Sequence, residues 1–147
     1  MSGITTRICQ IICLASIGLY LPQLAHAKPA QGNGISVFSE GEDASSTFDT
    51  IYFRNSGGRV VRVIHAWNGG CCKPASADEF HRKGETFHYV KSYRLTRKPK
   101  NIPRLILCDS KAFIAMQRDK SDQPKTFTAA SIKGDLKEAK RFPGCKK

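Results

Sequence analysis

A chain of 147 residues with 24 Lys and Arg against 12 Asp and Glu, a formal net charge of +12, has room for one domain and excludes two independent cores. Its longest apolar run, about 14 residues from Ile8 to Leu21, is shorter than the ~20 needed to cross a bilayer, which argues against a transmembrane anchor. The charge is uneven: four acids face one lysine between Lys28 and Phe53, whereas Arg54 to Lys147 holds 22 basic and 8 acidic residues, a body that attracts anions through a long-range field.

Residues 1–27 read as a signal peptide, with Arg7 as the only charge, an apolar centre, and Ala25-His26-Ala27 as the small-x-small cleavage pattern. The protein is therefore expected to be secreted. Residues 28–46, rich in Gly, Ser, Ala and acids with only Ile35, Val37 and Phe38 to bury, read as a flexible N-terminal arm; residues 47–147 read as a single β-rich, disulfide-stapled domain.

Phe48 to Arg54 and Arg59 to Trp67 are β-branched and aromatic runs joined by Asn55-Ser56-Gly57-Gly58, the strongest hairpin signal in the chain. After the break at Asn68-Gly69-Gly70, Asp78 to Lys83 reads as one short helical turn. Glu85 to Arg97 reads as a strand with Phe87, Tyr89, Tyr93 and Leu95 on one face and His88, Ser92, Arg94 and Thr96 on the other. Arg104 to Cys108 and Ala112 to Gln117 read as two more strands. From about Thr128 to Arg141, Ile132, Leu136 and Ala139 form one stripe of a helix that Pro143-Gly144 stops. The expected fold is mainly β (α+β): a small disulfide-stabilised antiparallel domain of about five strands with a C-terminal helix.

Cys9 and Cys13 leave with the leader, so four cysteines remain: Cys71, Cys72, Cys108 and Cys145. An even count in an oxidising compartment points to two disulfides. Bonding adjacent Cys71 to Cys72 closes a strained ring. Two pairings remain, in which Cys71 joins Cys108 and Cys72 joins Cys145, or the partners exchange. The spacing lacks the paired C-x-x-C of zinc modules, so no metal site is expected, and no cofactor motif appears.

Three kinds of chemistry remain open. A basic run of Lys91, Arg94, Arg97, Lys98, Lys100 and Arg104, together with Tyr93, contains no acid and fits the binding of a host protein or another anionic partner, such as nucleic acid or an acidic glycan. The same composition suits a solvated edge strand whose lysines block aggregation. Few histidines in a secreted basic chain invite comparison with small ribonucleases, in which one imidazole takes a proton from the ribose 2′-hydroxyl, a second acid protonates the leaving oxygen and a cation steadies the phosphorane. His65, His88, Glu85, Arg62 and Arg94 supply such parts if the strands that carry them lie side by side; the order Tyr-x-His, Glu, Arg, His of the fungal guanyl-ribonucleases is not present. The G-x-S-x-G, H-E-x-x-H and P-loop signatures are also absent, which favours a binding protein over an enzyme.

By its leader, its size and Cys71, Cys72, Cys108 and Cys145, the chain resembles the class of small secreted effectors made by plant-associated fungi. The resemblance implies a virulence effector that binds a host component, delivered outside the cell or into the host. A secreted ribonuclease or ribonuclease-like toxin is the second reading, and a cationic antimicrobial or glycan- and membrane-binding protein the third.

Overall fold

The computed structural model describes residues 34–41, 47–69, 74–96, 100–118 and 124–146. The expected leader, Cys71, Cys72, Arg97 and Lys98 lie outside the described residues. Five strands, β1 (Ile35–Glu40), β2 (Phe48–Arg54), β3 (Val60–Trp67), β4 (Ser76–Lys83) and β5 (Thr86–Leu95), follow one another, then α1 (Ile102–Cys108), β6 (Phe113–Met116), β7 (Phe127–Thr128), α2 (Ile132–Glu138) and β8 (Lys140–Arg141). They form one antiparallel sheet in the order β6-β5-β4-β3-β2-β1-β8, with β7 pairing the far end of β5. Among the described residues, no helix is long and apolar enough to cross a membrane.

The β2–β3 hairpin forms as its sequence dictates. The Asn55 side chain accepts from the Arg59 amide at 3.0 Å, and Gly58 takes the left-handed φ of +76° that closes the turn. Where alternation is less regular the structure departs from the sequence reading. Ile35–Glu40 is a paired strand, not part of a flexible arm: Ile35 is buried, Val37 and Phe38 pack against opposite faces of the sheet, and Arg54 donates its amide to the Gly34 carbonyl at 2.7 Å. Asp78 to Lys83 is not a helical turn but most of β4, because Phe80 and Ala77 have cores on opposite sides to fill.

Arg104 to Cys108 is helical, not extended. Asn101 caps α1 by accepting from the Arg104 amide at 2.8 Å, and Pro103 sits in its first turn, where a missing N–H costs nothing. The C-terminal helix is shorter than expected, and the chain beyond it returns as β8 to pair with β1.

The sheet buries both faces. On one, which we call the α1 face, Ile51, Ile64, Ala66, Ala77 and Leu95 lie beneath Ile102 and Leu105 of α1 and Phe142 of the C-terminal tail. On the other, the α2 face, Tyr52, Val63, Phe80, Phe87 and Phe127 pack with Ile132 and Leu136 of α2. Cys108, at the end of α1, is disulfide-bonded to Cys145, with Cα atoms 5.6 Å apart and a sequence separation of 37. Both expected pairings are therefore incorrect, since each joined Cys108 and Cys145 to the Cys71-Cys72 pair. The reason is packing: α1 and the tail cover the same core, so their cysteines meet there. Closing a loop of this length contributes about 4 kcal/mol in the chain-entropy account.

Candidate functional site

α1 and the C-terminal tail cover part of the α1 face; the rest carries polar side chains of β3, β4 and β5. Cross-strand register sets Arg62 opposite His81 and His81 opposite His88, with Phe53 on the far side of Arg62. The next row sets Glu79 opposite Lys91. A β-bulge makes the two rows possible. One extra residue, the exposed Val90, sits between the partners of Glu79 and Phe80, so His88 and Lys91 reach the same face although they are three apart in sequence. The bulge also corrects the expected faces of this strand: Phe87 and Tyr89 fill the α2 face with Ser92, while Tyr93 and Leu95 lie on the α1 face with His88.

Glu79 is the centre of the cluster. Its side chain is 5% exposed; Oε1 lies 2.7 Å from both Arg62 Nε and His81 Nε2, and Oε2 accepts the Tyr93 hydroxyl hydrogen bond. Burial alone would raise its pKa, but the hydrogen bonds from Tyr93 and His81 and the Arg62 guanidinium outweigh burial and hold the carboxyl below its ordinary value. Tyr93 is pushed up by burial and by donating to that carboxylate. Lys91 is held up first by its hydrogen bond to Tyr93, and its Nζ lies 5.2 Å from the Tyr93 ring centre. The Arg62 guanidinium carbon lies 4.6 Å from the Phe53 ring centre, a cation–π contact.

His81 remains open to water, with 54% of its side chain exposed. A neutral His81 that donates Nε2–H to Glu79 leaves Nδ1 as the acceptor, so a carboxylate orients a base. His88 is exposed beside it, its Nε2 3.2 Å from Thr86 Oγ1. Directly opposed residues hold their Cβ atoms about 5 Å apart, close enough for two imidazoles to flank one phosphate.

Of the expected ribonuclease residues, the structure sets Arg62 and His88 in one cross-strand row, on either side of His81, and separates the rest. β3 and β5 do not lie side by side, because β4 runs between them. His65 is on the α2 face, stacked at 5.4 Å on Phe48, edge-on to Phe127, with Nδ1 3.0 Å from Thr50 Oγ1. Burial, then the nearby Lys125 charge, lowers its pKa to about 4, so it is neutral at pH 7. Glu85 lies in the β4–β5 turn, paired with Arg59 at 3.1 Å and Arg82 at 2.9 Å. Arg94 is exposed further along β5, opposite Ser76 and Ile114.

The expected binding set divides as well. Lys91 and Tyr93 belong to the Glu79 cluster, but the Tyr93 ring is 8% exposed and edge-on to Phe113 at 4.8 Å, so it offers no free face for a base. Nor is β5 an edge strand: β4 flanks it on one side and β6 and β7 on the other. Lys100 and Arg104 line a separate cleft of about 420 Å³ with Lys140 and Arg141. Glu79 and His81 were missed by the sequence reading, which took their segment as helical; their signal was the i, i+2 spacing that sets both on one face of a strand. Among the described residues, no three His, Cys, Asp or Glu side chains converge as metal ligands. Comparison with protein-family models, curated proteins and solved structures finds no match to this chain.

Proposed function

We propose that this chain is an exported ribonuclease-type protein that cleaves RNA by acid–base chemistry on the open part of the α1 face. The observation that carries the reading is the opposition of His81 and His88 across β4 and β5, with Glu79 holding His81 and Arg62 next in the row. In this mechanism His81 takes the proton of a ribose 2′-hydroxyl and the 2′-oxygen attacks phosphorus. The Arg62 and Lys91 cations offset the charge that develops on the phosphorane oxygens. Protonated His88 gives its proton to the departing 5′-oxygen as the P–O5′ bond breaks, leaving a 2′,3′-cyclic phosphate and a 5′-hydroxyl. The excess of basic residues draws the polyanionic substrate to the protein. Acting on a host, the same protein is an effector whose bound component is RNA.

The test is incubation of the purified protein with a labelled RNA oligonucleotide between pH 5 and 8, with cyclic-phosphate ends as the readout. His81→Asn and His88→Asn are each expected to slow cleavage about 100-fold or more, the usual contribution of a positioned acid or base. Intact RNA after prolonged incubation with the unsubstituted protein, or full activity in the double variant, rules the proposal out.

A further inference from the structure

The opposite face of the sheet carries a cleft of about 630 Å³ that the chemistry above does not use. We propose that this cleft is a binding site for a nucleoside phosphate, its planar ring held by an aromatic wall and its phosphate by two cations. Phe48, His65 and Trp67, from β2 and β3, form the wall, and Phe48 and His65 are already stacked with their planes 6° apart. His65 is neutral, so it adds an uncharged ring to the wall and not a third cation.

The floor is polar and fixed. Asp78 and Ser92 face each other across β4 and β5, with Ser92 Oγ donating to Asp78 Oδ1 at 2.6 Å and hydrogen-bonded to the Tyr89 hydroxyl at 2.8 Å. Asp78 Oδ2 is paired with Arg118, whose guanidinium lies 5.6 Å from the Tyr89 ring centre. This arrangement offers a carboxylate acceptor to an exocyclic amino group while Arg118 keeps the floor from repelling an anion. Lys125, the second cation, lies 5.4 Å from the Phe127 ring centre and meets Glu40 in an exposed 3.5 Å pair of the kind that contributes little and that a phosphate readily replaces. Aromatic wall, hydrogen-bonding floor and cationic rim together match a base and its phosphate better than either alone.

This inference does not depend on RNA cleavage, because the sheet separates the two sites. It is best tested in the His81→Asn/His88→Asn protein, where turnover does not intrude. Trp67 is the chain's one tryptophan, so its fluorescence reads the cleft directly. Titration with the four nucleoside 5′-monophosphates is expected to give a saturable change for at least one of them, at least 10-fold tighter than its unphosphorylated nucleoside or inorganic phosphate. Lys125→Ala is expected to weaken that binding about 5-fold and Arg118→Gln by more, with the far-ultraviolet spectrum checking that each variant is folded. No saturation with any monophosphate, equal binding of inorganic phosphate, or an unchanged affinity in folded Lys125→Ala protein overturns the proposal. A tetranucleotide with the same terminal phosphate decides the source: tighter binding assigns the cleft to an RNA end, equal binding to the free nucleotide, and both outcomes support the site.

Discussion

His65 and His81 stand on neighbouring strands of one sheet and differ in almost everything that matters for chemistry. On the α2 face His65 is enclosed by two phenylalanine rings, and burial keeps it uncharged. On the α1 face His81 is open to solvent and held by a buried carboxylate. The contrast teaches that helix coverage, not strand sequence, assigns the roles. Rings and α2 close over the part of the α2 face around His65 and leave a cleft only beside it, whereas α1 covers only part of the opposite face and leaves the Arg62, His81 and His88 row wet.

The sharpest way to break this contrast is kinetic. His81→Asn and His88→Asn are expected to slow RNA cleavage about 100-fold, whereas Glu85→Gln, in the turn at the strand ends, leaves the rate unchanged. A loss in Glu85→Gln equal to that in His81→Asn would move the chemistry to the turn.

Next in size is the stability of the two faces. Glu79→Ala leaves Arg62, His81 and Tyr93 without their shared acceptor; loss of a buried ion-pair partner costs ~3–5 kcal/mol, and because Arg62 and His81 keep contact with water, about 2 kcal/mol is expected here in urea unfolding. The two faces also lose stability in different pH windows. His65 has a folded pKa of about 4 against an ordinary 6.5, so its contribution is complete above pH 6.5 and declines as pH falls toward 4, by at most about 3 kcal/mol. Glu79, held below its ordinary 4.5, contributes fully above that value and is lost only as pH falls through its lower folded one. Urea midpoints measured at intervals from pH 7 to 3 are therefore expected to show two descents, and His65→Leu to remove only the first.

Much of this architecture is legible in the residues, and the failures have physical causes. The β2–β3 hairpin was readable because Asn55 to Gly58 encode their own turn. α1 misled because Ile102 to Cys108 is short and apolar enough to suit a strand; the cap at Asn101 and the proline after it carried the helical information. Glu79 and His81 escaped notice because β4 has cores on both sides, which leaves it without the simple polar and apolar alternation of a one-sided strand. Nothing local announces the bulge at Val90, yet without it His88 and Lys91 fall on opposite faces. The cysteine pairing depended on where α1 docks, a long-range property that spacing does not encode.

The smallest effect separates the two helices. α1 is held by the Asn101 cap at one end and the Cys108 disulfide at the other, whereas α2 has no side-chain cap hydrogen bond at Ser131 and carries Gly134 within it. What secures α2 to the sheet is Tyr52, a wholly buried ring whose hydroxyl donates to Asp135 Oδ2 at 2.5 Å; burial first, then this carboxylate, pushes the phenol pKa well above its ordinary range. Tyr52→Phe keeps the ring and removes the hydrogen bond, an expected loss of about 1 kcal/mol. Hydrogen exchange is the measurement that locates it. Amides of α2, and that of Ala139 just after it, which donates to the Asp135 carbonyl, are expected to exchange faster in the variant, while Asp109 at the end of α1 keeps its protection. Equal acceleration in both helices would mean that the two faces unfold as one unit.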